Sequence, residues 1–467
     1  MQTRLFLNFM SLLVVGSILV LSSCKKDVTD DQNLKSKTVD SYDHEIVHEW
    51  NNLFMEIDKK AEGYRPCPTA NVLGYLGLAN YEATVEGMPD YQSIADRYEG
   101  LSIPKITAEN EYHWPSVVNA VNKFLLERFF PDVDQSLFAN IKILSDKYEK
   151  QYISEVGQDV YLRSKTHGES VAAAIWDWMK KDVATFDGYK DPFKENTWRD
   201  RIGEPGAWTP TVPGPGEGIF AYWGKGRTLA IKEDQKICRP YTSYVGPFSE
   251  ANNSGLYAQA IEVMSQNTPS LSFQTEWLGE FWSDDFVNLT FSPPSRWIAI
   301  VEQVYDNENA NLEEALVCNA KIGIALHDAA IACWNSKFHY NIERPESYIK
   351  RVIDPTWEPN LYNPMNGEQG ISPSFPGYPS GHATFASSST EVIASVFGYA
   401  YGMTDNCHKN RPEFSGYPRV FNSFYEMALE CSWSRVPLGV HFRMNAEEGM
   451  RFGTEIGRTV NNLPWKK

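Results

Sequence analysis

Residues suited to holding a small oxyanion, and to moving a proton beside it, crowd into the last third of this chain. The first group is FPGYPSGHATF, Phe375 to Phe385. Ser380 reads as an N-cap and Gly381 as a point where backbone can approach a ligand, with a helix predicted over Ala383 to Val396. The unpaired amides at such a helix start, with the positive end of the helix dipole, form a seat for an anion. His382 stands at that mouth and titrates near neutral pH. Upstream, KFHYNIERP supplies Lys337 and Arg344; downstream, SRVPLGVHFRMN supplies Arg435 and His441. Singly these are commonplace. Ser-Gly-His before a helix is usually a capped turn, and a basic helix end serves its own dipole. Three fixed cations, a helix mouth and two histidines together are what a tetrahedral oxyanion and acid–base chemistry on it require.

The elements that must position these groups read as helices. Leu312 to Phe338 is a strong helix; if it continues, Lys337 and Arg344, nearly two turns apart, share a face, with Trp334 one turn earlier. Helices are predicted over Phe421 to Trp433 and from Asn445 onward, with Pro437 and Gly439 breaking the chain before His441. Earlier, His44 to Glu86 is helical around an Arg65-Pro66 break, and its run NVLGYLGLANYEA suits close helix packing. Tyr112 to Phe130, Gln135 to Ile153 and Ser170 to Phe186 follow, then Leu256 to Gln266, Trp277 to Asp285 and Arg296 to Asn307. Between them, residues 187–253 form a Pro-, Gly- and aromatic-rich excursion containing EPGAWTPTVPGPGEG, whose Trp208 and Trp223 read as cover for a core. No strand alternation, dinucleotide-binding glycine pattern or P-loop is present. The expected fold is an all-α, large helical-bundle protein with two helical halves, 43–186 and 254–467, and the active site in the C-terminal bundle.

The remaining candidates read as structure. His44 and His48 share a helical face at i,i+4 but lack a third metal ligand, so a solvated face is expected, and His113 beside Trp114-Pro115 reads as a helix-start histidine. Cys318 and Cys333 sit in apolar helical runs and read as buried thiols; no CxxC spacing points to zinc or redox chemistry.

A formal charge of −17 and a pI near 5.1 argue against nucleic acid or an anionic membrane as partners, so a cationic pocket would be a local site. At the N-terminus, Arg4, an apolar run from Leu5 to Val20 and Leu21-Ser22-Ser23-Cys24 resemble a bacterial lipoprotein signal over residues 1–24. That implies acylation of Cys24, a polar tether over 25–42, and an envelope protein touching membrane only through its lipid.

Lys337-x6-Arg344-Pro345, then Pro379-Ser380-Gly381-His382, then Ser434-Arg435-x5-His441 resemble, in that order, the vanadium-dependent haloperoxidases and their relatives, the type-2 phosphatidic acid phosphatases. The motifs span about the last third of the chain, and the helical first half and the excursion look more loosely like the haloperoxidase branch. The resemblance implies vanadate as cofactor, with hydrogen peroxide and a halide, iodide or bromide, as substrates. It also implies roles. Lys337, Arg344 and Arg435 neutralise the equatorial oxygens. The Ser380 hydroxyl and the Gly381 amide donate to the same anion, His441 is the axial nitrogen ligand of the metal, and His382 is the acid–base residue. Trp334 and Phe375 match aromatics on the halide side, with ordinary core packing as the alternative for both.

Two other readings stay open on these residues. In a phosphatase, His441 attacks a phosphate ester and His382 protonates the leaving group. That pattern continues His-x3-Asp to activate the nucleophile, and this chain has Asn445 there. The other is a non-catalytic, anion-binding envelope lipoprotein, which needs no second histidine.

Overall fold

The computed structural model describes residues 35–192, 198–211, 216–266, 273–411 and 416–467. Residues 1–34, which hold the expected leader, Cys24 and the first part of the expected tether, lie outside them. The chain order is α1 (Glu45–Lys60), α2 (Cys67–Thr84), α3 (Trp114–Phe129), α4 (Gln135–Val156), α5 (Gln158–Met179), the short α6 (Thr242–Val245), α7 (Gly255–Gln266), α8 (Phe273–Phe281) and α9 (Ser295–Glu308). Then come α10 (Leu312–Tyr340), α11 (Pro345–Val352), α12 (Gly381–Phe397), β1 (Met403–Asp405), β2 (Arg419–Phe421), α13 (Phe424–Ser434) and α14 (Arg443–Asn461). The strands are one antiparallel pair, Met403 opposite Phe421, so the fold is all-α as the sequence implies.

α10 is the axis. An Asn311–Glu314 capping box starts it, and although it is apolar enough to cross a membrane, it is a core helix enclosed by protein. α2 lies directly against it because the small-residue run lets the backbones meet. A Cβ at Gly74 would sit 2.6 Å from the His327 Cβ, and one at Gly77 would sit 2.8 Å from the Asn319 carbonyl oxygen. α14 meets α12 the same way: a Cβ at Gly449 would lie 2.6 Å from the Ala383 Cβ, beside the start of α12. One continuous apolar core joins the first and last helices, and the excursion folds over α10 with Trp208 and Trp223 buried. Cys67, Cys238, Cys318, Cys333 and Cys431 are buried free thiols, and Cys407 is free and half-buried.

Four expectations are corrected. α10 does not continue to Arg344: it stops at Tyr340, Asn341 takes a left-handed conformation (φ 50°, ψ 43°), and Arg344 instead stands at the N-cap of α11. α5 begins at Gln158 rather than Ser170 and ends before Phe186, because Gly157 (φ 79°) breaks it from α4 and its buried stripe includes the polar Ser164 and His167, which hide the apolar periodicity. α8 ends at Phe281, which frees residues 282–285 to form a turn. His44 and His48 do not form a solvated face; they tie α1 to α9, with His44 Nδ1 2.7 Å from the Ala310 carbonyl and His48 Nδ1 2.6 Å from Glu302 Oε2. His113 is structural as expected, its Nδ1 2.8 Å from Ser116 Oγ, and burial pushes it down to about 4.

Candidate active site

A cavity of about 180 Å³ lies where the three motifs meet, lined by Gly381, His382, Arg435 and His441 and by the rings of Trp334, Phe375 and Phe385. Lys337 and Arg344 stand immediately behind the Phe375 ring, the ammonium 5.0 Å and the guanidinium 4.9 Å from its centre. Five separate elements deliver these groups. Lys337 comes from the last turn of α10, Arg344 from the start of α11, Gly381 and His382 from the start of α12, Arg435 from the end of α13, and His441 from the bend before α14.

Each cation is anchored so that part of its donor set remains unused. Lys337 Nζ donates to the carbonyls of Pro376 (2.8 Å) and Gly377 (3.4 Å). Arg344 is held through Nε by the Phe375 carbonyl (2.9 Å) and through Nη1 by the Val440 carbonyl (2.7 Å), while its buried Nη2 has no partner. Arg435 Nη2 pairs with Asp285 Oδ2 at 2.8 Å; its Nε and Nη1 are buried and unpartnered. Ser380 caps α12, accepting from the Ala383 amide, and its own amide donates to the Asn445 carbonyl at 2.9 Å. The amides of Gly381 and His382 find no acceptor among the described residues. Buried N–H groups without partners are costly. Several aimed from one cluster of positive charge fit a multivalent oxyanion such as vanadate or phosphate, which would satisfy them together.

The electrostatics agree. Burial pushes Lys337 down to about 7, and burial with the neighbouring Arg435 lowers Arg344 to about 9. Burial, then the charges of Arg344, Lys337 and Arg435, holds His441 far below the usual imidazole range, so its ring is neutral and its nitrogen lone pair is available. Burial and Arg435 lower His382 to about 4. His382 Nε2 lies 2.9 Å from the Ser283 carbonyl and 3.8 Å from Asp285 Oδ1. A carbonyl only accepts, so Nε2 carries the proton and Nδ1 is the acceptor nitrogen.

The sequence of 318–464 matches the profile of the VCPO second helical-bundle domain. The vanadium chloroperoxidase of Curvularia inaequalis is 23% identical over 504 residues, an alignment covering 87% of this chain and 80% of that protein. The first bacterial vanadium-dependent iodoperoxidase structure superposes with a TM-score of 0.77 at 24% identity, over 90% of this chain and 97% of that one. The chain is thus similar to the vanadium-dependent haloperoxidases, through its C-terminal domain in sequence and through nearly its whole length in fold. The same fold appears in the holo-type bacterial vanadium-dependent chloroperoxidase, with a TM-score of 0.60 and 14% identity over 85% of this chain and 92% of that one.

Of the residues singled out from sequence, Trp334, Phe375, Gly381, His382, Arg435 and His441 line one cavity, Lys337 and Arg344 stand against its Phe375 ring, and Ser380 precedes its Gly381. Sequence reasoning missed Asp285, which contacts both Arg435 and His382, and Arg65, which joins the lining from the N-terminal half. A cation cluster calls for a carboxylate, but the chain has 60 Asp and Glu and no spacing marks which one serves. Asn445, at the position of the phosphatase carboxylate, keeps both side-chain polar atoms buried and unpartnered, and His441 Nδ1 likewise has no partner.

Proposed function

We propose that the protein is a vanadate-dependent haloperoxidase oxidising iodide or bromide with hydrogen peroxide. The observation that carries this is the set of unpartnered buried donors from Arg344, Arg435 and the start of α12 around a cavity that also holds two neutral histidines. Lys337, Arg344 and Arg435 would balance the charge of the bound vanadate, with the Ser380 hydroxyl and the Gly381 amide completing the cradle. His441 would supply the nitrogen ligand. Vanadate, when bound, contributes a Lewis-acidic centre that activates peroxide without changing its own redox state.

The chain's own residues do the rest. His382, neutral and with Nδ1 bare, accepts a proton from incoming peroxide and returns it as water leaves. The rings of Trp334, Phe375 and Phe385 exclude water from one wall, where a weakly hydrated halide is favoured. The balance is halide, peroxide and one proton giving hypohalous acid and water, with two electrons passing from halide to peroxide oxygen. For phosphoryl transfer, the nucleophilic histidine needs a carboxylate on its second nitrogen, and among the described residues none bonds to His441. That supports the peroxidase side. Acylation at Cys24 would hold the enzyme at the bacterial envelope, which metabolic labelling with palmitate tests.

The deciding assay uses protein lacking residues 1–24, freed of vanadate in phosphate-free buffer. Iodide and bromide oxidation by peroxide should appear only on adding vanadate, with no hydrolysis of p-nitrophenyl phosphate. Ester hydrolysis without vanadate-dependent halide oxidation overturns the proposal.

A further inference from the structure

The turn between α8 and α9 carries two groups the site depends on, and two arginines from different elements hold it, Arg65 half-buried and Arg296 fully buried. Its Ser283 carbonyl meets His382 Nε2 at 2.9 Å, and its Asp285 carboxylate meets Arg435 Nη2 at 2.8 Å. Between them, Asp284 has a left-handed φ of 44°, a conformation uncommon for L-residues and most accessible to Asp and Asn.

From the α1–α2 corner, Arg65 Nη1 donates to the carbonyls of Asp284 (3.1 Å) and Phe291 (3.3 Å). Its Nη2 donates to those of Lys59 (3.3 Å), Asp58 (3.4 Å) and Thr290. A guanidinium spent on five backbone carbonyls is placed to fix backbone rather than to neutralise a carboxylate. From α9, the fully buried Arg296 donates Nη1 to Asp284 Oδ2 (3.2 Å) and the Phe281 carbonyl (3.1 Å), and Nη2 to Asp405 Oδ2 (2.9 Å). One arginine therefore holds the Asp284 main chain and the other its side chain.

We propose that Arg65 and Arg296 are positioning residues for the acid–base histidine. By locking turn 283–285 they keep the Ser283 carbonyl on Nε2 of His382, which holds the ring in the one tautomer whose Nδ1 can accept a proton. The same lock keeps Asp285 on Arg435. Release of either grip frees the carbonyl to move, and the ring then samples both neutral tautomers. Only the kinetic consequence rests on the peroxidase reading; the tautomer follows from geometry alone.

The test labels histidine ring nitrogens with ¹⁵N in the vanadate-free protein, assigns His382 by comparison with His382→Gln, and reads the tautomer from ring-nitrogen shifts near neutral pH. The native protein should show His382 protonated at Nε2 only, and Arg65→Met should show a mixture while remaining folded. With vanadate added, a displacement of this kind should lower kcat for iodide by roughly ten- to a hundredfold, with KM for iodide little changed. Arg65→Lys, which can satisfy fewer carbonyls, should fall between. If Arg65→Met does not fold, Arg65→Gln carries the same readout. A mixed tautomer in the native protein, or a single Nε2–H form in a folded Arg65 variant, overturns the assignment. A native protein with the expected tautomer but no vanadate-dependent oxidation would sink the peroxidase proposal and leave this one standing.

Discussion

Replacing Lys337 by methionine removes a fully buried ammonium while nearly preserving side-chain volume, and the structure sets opposite expectations for the empty and the loaded protein. Burial draws the Lys337 ammonium from 10.5 down to about 7. At 1.36 kcal/mol per pH unit, holding the charged form in the empty site costs about 5 kcal/mol. The carbonyls of Pro376 and Gly377 lose their donor in the variant, and with one bond at 3.4 Å the two together cost about 3 kcal/mol. The vanadate-free variant should therefore be more stable than the native protein by about 2 kcal/mol at neutral pH and below. The sign reverses at higher pH. Unfolded lysine keeps its proton up to 10.5 and the folded one only to about 7, so the unfolded state binds more protons in that window and native stability rises through it. The native protein overtakes the variant about 1.5 pH units into the window, since a lead of about 2 kcal/mol is lost at 1.36 kcal/mol per unit, and its neutral lysine still bonds the carbonyls. In the loaded protein, loss of one charge-assisted hydrogen bond of about 1.5–3 kcal/mol should raise the vanadate Kd roughly 10- to 150-fold. Urea unfolding followed by tryptophan fluorescence across this pH range, in phosphate-free buffer, measures the first effect, and calorimetric vanadate titration the second. A variant less stable than the native protein on the acid side, or one binding vanadate equally well, refutes the reasoning.

The remaining substitutions separate the roles within the cavity. His441→Ala should abolish vanadate retention in equilibrium dialysis, whereas His382→Ala should retain most binding and lose turnover; full activity in His382→Ala removes the acid–base role. Arg344→Lys cannot reach the Phe375 and Val440 carbonyls and the anion at once, so vanadate affinity should drop about tenfold or more by titration. Asp285→Asn frees Arg435 Nη2 from its carboxylate; vanadate should bind at least as tightly while kcat falls, and weakened binding would contradict the geometry.

Much of this site was legible because each motif is local. Pro379 to His382 carries its own turn and helix start, so Ser380 as a cap and Gly381 at the helix mouth follow from neighbouring residues, and the structure shows both. The expectation that one continuous helix aligns Lys337 with Arg344 was wrong in route. The left-handed Asn341 ends the helix, and the Phe375 ring and the carbonyls behind it bring the two cations together instead. His44 and His48 misled for a related reason: a helical face says which residues point the same way, not whether α9 will cover them.

What the amino-acid order alone determined was the helical class, the start of α12 and the set of cations and histidines, since helix periodicity, capping and charge type act over a few residues. Only tertiary structure decided that Asp285 is the carboxylate set against Arg435, 150 residues away, and that Arg65 holds the Asp284 carbonyl across 219 residues. Those pairings depend on which helix surfaces meet when the core closes around α10. Contacts between distant side chains and backbone carbonyls leave no periodic trace in the chain that makes them.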